Sequence, residues 1–163
     1  MNIKTAAGKW DEKMEWIEKR CVEGMIPFAE HIDKNKKSSW DIPSNAEKPP
    51  CTAHQAVVIL ENLLESASGK YVNIYPPSMK EEGKAIIQYL SNWGFITTID
   101  SSKDFDEAIK GASVLERGVR LISETRQKPI EEIETKYRIY GGINTPFGNI
   151  GAEYSKTRKT SDQ

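Results

Sequence analysis

Cys21, His31, Cys51 and His54 are the only thiols and imidazoles in this chain of 163 residues, and all four fall in its first third. Two thiolates and two imidazoles make a tetrahedral zinc donor set. Cys51-Thr-Ala-His54 supplies one local pair, and a loop could bring Cys21 and His31 to it. Against zinc stands the full pattern, C-x9-H-x19-C-x2-H, which matches no finger arrangement. Cys21 also completes an apolar helical stripe. The plainer reading is a buried Cys21, a loop-flanking His31 and a His54 at a helix start. The expectation is therefore no cofactor, with zinc as the subordinate alternative.

Cys51 has a second chemical reading. It directly precedes a helix, where amide dipoles favour a thiolate. His54 is near in sequence but sits in the first turn, whereas a nucleophile and its base normally meet across a fold. No histidine follows position 54, so a cysteine paired with a distant downstream histidine is absent. A cysteine-dependent enzyme using Cys51 and His54 is kept as an alternative, and the residues argue against an enzyme more than for one.

Other constellations are weaker. Residues 141–151 hold four glycines and a proline beside Tyr137, Arg138 and Tyr140. They lack the strand before and the amphipathic helix after that a phosphate-binding loop requires. A packed loop, fixed by Ile143, Phe147 and Ile150, is expected instead. Glu131, Glu132 and Glu134 suit the early part of a short helix electrostatically. Lys34, Lys36 and Lys37 beside Trp40 form a basic-aromatic cluster that a solvated loop explains equally well.

The elements that must position these residues follow from periodicity. Trp10, Met14, Ile17 and Cys21 draw one stripe along a helix at 9–23, stopped by Gly24 with Pro27 beyond. Trp16 lies off that stripe, exposed or covered by a partner. Residues 33–50 turn to Lys, Ser, Asn and Pro and read as a long loop around Trp40, a length that signals either function or disorder. Thr52 and Gln55 form a capping box for a second, largely apolar helix. Residues 70–75 and 95–99 read as strands flanking a helix from Ser78 to Trp93, with Gly94 as its left-handed stop. A long helix is expected over 103–126, notched by Gly111 and Gly118, each costing about 1 kcal/mol in a helix interior. Ile130, Ile133 and Tyr137 mark a last short helix, and 155–163 a disordered tail.

Composition bounds the function. Hydrophobic residues at 37%, charged residues at 29% and a formal charge of −1 describe an ordinary soluble chain without a global drive toward nucleic acid or anionic membrane. Charge is evenly spread, with no interaction tail. The first residues hold no apolar run of signal-peptide length, and nothing approaches the roughly 20 apolar residues of a membrane span. Cytoplasmic location with reduced thiols is the default.

The sequence thus predicts one α+β domain over 1–154, with four or five helices around a small sheet and a strand-helix-strand unit at 70–100. The expected function is surface recognition by a small regulatory protein of accessory or immunity type, binding another protein or its own copy through Trp16, Trp40, Gly111 and Gly118. A winged-helix-like nucleic-acid binder, with Lys80 and Lys84 on the reading helix, is the remaining alternative. It lacks a middle helix between 67 and 78 and the usual phosphate-neutralising surface.

Overall fold

A computed structural model describes residues 1–138 and 142–143. The expected tail and most of the glycine-rich loop lie outside the described residues. The chain divides into two compact units, Met1–Ala53 and the segment from His54 onward. Helices dominate both, and a two-stranded antiparallel sheet makes the whole a helix-rich α+β structure.

The first unit opens with α1 (Ile3–Trp10) and α2 (Met14–Glu23). The single helix expected over 9–23 is corrected here: Asp11 enters the left-handed region at φ 52° and ends α1. The side chain of Asn2 accepts from the Thr5 amide at 2.8 Å, supplying the N-terminal cap. Ile3, Ala6, Ile17, Cys21, Ile26, Ile42 and Ala46 form the core, with Trp10, Trp16 and Trp40 packed against it. Removing each of its isoleucine side chains from water stabilises the unit by about 1.5–3 kcal/mol.

Strands β1 (Glu30–His31) and β2 (Trp40–Asp41) pair with His31 opposite Trp40. The intervening loop carries its own polar framework. The Asp33 amide donates to the Ser39 hydroxyl at 2.9 Å, and that hydroxyl donates to the Asp33 carbonyl at 2.8 Å. Trp40 lies half-buried at the base of this loop.

Helix α3 (Ala53–Ala67) starts where the capping box placed it. Its first amide, on Ala53, donates to Glu23 Oε2 at 2.8 Å. The second unit then continues through a 3-10 turn at Pro77–Met79, α4 (Lys80–Asn92), α5 (Phe105–Lys110), α6 (Glu116–Arg126) and α7 (Ile130–Tyr137). Seven α-helices among the described residues exceed the four or five expected.

Two expectations are corrected in this unit. Residues 70–75 form no strand, and 95–99 contribute only one antiparallel bridge, Ile96 to Val114. Extended propensity needs a neighbour to pair with, and the partners go elsewhere. The Ile74 carbonyl accepts from Asn62, and the Phe95 carbonyl accepts from the Leu115 amide. The continuous helix over 103–126 is likewise interrupted. Residues 112–115 leave helical geometry so that Val114 can donate to the Gly142 carbonyl at 2.8 Å and the Thr97 amide can donate to the Ser113 carbonyl at 2.9 Å.

Candidate functional site

Cys51 is buried at the end of the first unit, 6% exposed. Burial pushes its thiol up to about 12; Arg20 opposes this and Glu23 adds to it. Desolvation thus outweighs the nearby Arg20 charge, and at neutral pH Cys51 is protonated. Cys21 lies in the core, its thiol also pushed up to about 12, by burial first and by Glu18 second. Both cysteines are free thiols.

His31 is exposed and stacks on Trp40, ring centroids 4.8 Å apart and planes 9° from parallel. Its Nε2 lies 2.8 Å from the Lys36 carbonyl oxygen. His54 is exposed in the first turn of α3. Among the described residues no group of three or more His, Cys, Asp or Glu side chains is placed to hold a metal.

Trp16 acquires a local explanation. The Arg20 guanidinium, one turn along α2, lies 4.9 Å from its ring centroid, and the Lys48 ammonium lies 5.7 Å from it. Arg20 is itself 5% exposed and donates to Glu23 Oε1 at 3.0 Å. Trp16, Arg20 and Glu23 thus form a chain ending on the Ala53 amide. Each cation–π contact contributes about 0.5–1 kcal/mol at partly exposed sites. The spacing of Trp16 and Arg20 by four residues was the signal for this.

The two notch glycines part company. Gly111 ends α5, and a Cβ there would meet nothing nearer than the Ala108 carbonyl oxygen at 3.8 Å. Gly118 is buried in the first turn of α6; a Cβ there would stand 2.5 Å from the Phe95 carbonyl oxygen and 2.7 Å from Val114 Cγ1. The space a Cβ would need at this glycine is filled by the chain's own backbone and Val114.

One position escaped the sequence reading. Ile26-Pro27-Phe28-Ala29 is a four-residue turn closed by the Ala29 amide on the Ile26 carbonyl at 3.3 Å. Phe28, at its third position, has φ 66°. Proline second and positive φ third is the pattern of a type II turn, whose third position favours glycine. A bulky residue there strains the backbone by roughly 1–2 kcal/mol. The residue is 72% exposed, so burial within this chain returns little of that cost. Ile32, just past β1, is 70% exposed, and Val22, late in α2, is 66% exposed. The signal in the sequence was Pro27 followed by a residue other than glycine.

No protein-family model, curated protein or solved structure matches this chain.

Proposed function

We propose that this protein acts by binding another protein, and that the segment around β1 carries the contact. The observation behind this reading is Phe28: a large apolar side chain held outward by a backbone conformation that its residue type disfavours. Strained positions of this kind cluster at functional surfaces, where the surroundings maintain them. An aromatic ring offered to solvent is also the type of group that anchors protein interfaces, because its burial on association is large. Ile32 adds a second apolar group within five residues. The partner is a second protein chain, another gene product or a second copy of this one.

A double variant, Phe28→Ala with Ile32→Ser, tests the reading. The immobilised wild-type protein should retain a discrete partner from an extract of the native cell, or show a dimeric molar mass by light scattering. The variant should lose that behaviour while keeping its helical circular dichroism. Identical retained proteins and identical molar mass for the two would reject the proposal.

A further inference from the structure

The second unit contains a cleft of about 340 Å³, within the range of small-molecule sites. One wall is the irregular segment Val72–Tyr75, and the start of α4 and the end of α5 supply Lys80, Ile109 and Lys110. The irregular wall is pinned at three points. Asn62 Nδ2 donates to the Ile74 carbonyl at 3.1 Å, and the Tyr75 hydroxyl donates to Asp106 Oδ1 at 2.6 Å. The third point is Gly83, inside α4, where a Cβ would stand 2.6 Å from both Cβ and Cγ of Tyr75. A glycine in a helix interior costs about 1 kcal/mol relative to alanine, and here its missing side chain seats the tyrosine. The wall is therefore a built feature.

The polar groups at this cleft are unequally engaged. Asp106, the carboxylate among the lining residues, already accepts the Tyr75 hydroxyl, and that bond together with burial raises the Tyr75 phenol to about 12, so it stays a neutral donor. Lys80 and Lys110 line the cleft from two different helices, and neither ammonium is engaged in an ion pair among the described residues. The α4 N-terminus adds its dipole near Lys80, offset by Glu81 and Glu82 of the same turn. Val72, Ile74 and Ile109 provide apolar surface between the charged groups.

We propose that this cleft binds a small organic anion, with its carboxylate or phosphate head held by Lys80 and Lys110 and its apolar body laid on Val72, Ile74 and Ile109. The preformed wall reduces the ordering cost of binding, and the two ammoniums select the charge. This site is independent of the protein-binding reading of the first unit.

Titration of the full chain with hexanoate, hexyl phosphate and the neutral hexanamide, followed by amide chemical shifts, tests it. The two anions should shift the amides of residues 72–75, 80, 109 and 110 saturably, and the stronger of them identifies the head group. Hexanamide should bind about tenfold more weakly or not at all. Lys80→Ala and Lys110→Ala should each weaken the better anion by about tenfold, Lys80→Arg should retain it, and Lys128→Ala, away from the cleft, should change nothing. The proposal is overturned if neither anion gives saturable shifts in these amides. It is equally overturned if hexanamide matches the anions, or if both lysine-to-alanine variants bind like the wild type.

Discussion

At the scale of single residues, Phe28 is the position where local chemistry and surface exposure disagree most. The turn it occupies asks for glycine, and the residue is 72% exposed. Phe28→Gly should therefore raise the free energy of unfolding by about 0.5–1 kcal/mol, the relieved left-handed strain less the added entropy of the unfolded glycine. Denaturant titration measures this; a loss of stability would mean that the ring supports the fold. Cys51 shows the opposite relation of sequence to structure. Its residue type and helix-start position were legible, but its burial was not, because burial depends on the side chains folded over it. The upward push on its thiol is a desolvation effect, and no local spacing records that. The surroundings of Trp16 were hidden for a similar reason: Arg20 and Lys48 lie over its ring, long side chains that follow aromatic surface while counting as polar in a periodicity pattern.

At the scale of elements, local punctuation was legible and long-range interruption was not. The helix bounded by Pro76-Pro77 and Gly94 forms nearly as expected, and Gly94 has φ 77°. The apolar period from Phe105 to Ile122, by contrast, runs on through residues 112–115, which leave the helix to pair with Phe95, Thr97 and Gly142. Nothing within that stretch announces a partner so distant. The glycines that look alike in sequence should then respond differently. Gly118→Ala, driven against the Phe95 carbonyl, should destabilise by about 1–3 kcal/mol. Gly111→Ala, whose Cβ would make one ordinary van der Waals contact at φ −89°, should change stability by no more than about 0.5 kcal/mol. Equal effects in thermal or chemical unfolding would refute the assigned packing. The α3–α7 junction adds a pH dependence. Glu65 of α3 pairs with Lys70 at 2.8 Å, accepts the Tyr137 hydroxyl and lies 3.4 Å from Lys136, and these partners hold its carboxyl down to about 2. A depressed carboxyl contributes stability above its ordinary value near 4.5 and loses it as pH falls toward 2. Melting temperature should fall over that window in the wild type and fall less steeply in Glu65→Gln; parallel curves would rule the linkage out.

At the scale of the whole molecule, the apolar periodicity of the sequence placed the chain in the right class, helix-rich with a small sheet; no helix among the described residues is long and apolar enough to cross a membrane. That periodicity misplaced the sheet. The real strands are two residues long and flank a loop, and so short a pairing leaves no alternation to detect. β-branched runs at 70–75 and 95–99 gave a stronger strand signal, yet the Ile74 carbonyl accepts from the Asn62 side chain and 95–99 holds one bridge, Ile96 to Val114. The fold class is thus carried by periodicity and punctuation, while the proposed contact lies on an exposed turn that neither singles out. The most direct measurement places a photoreactive phenylalanine analogue at position 28 of the intact protein in its native cell, with position 47, also exposed, as the control. The account predicts a discrete protein adduct from position 28 that position 47 does not give. No adduct at position 28, or the same adducts from both positions, would contradict it.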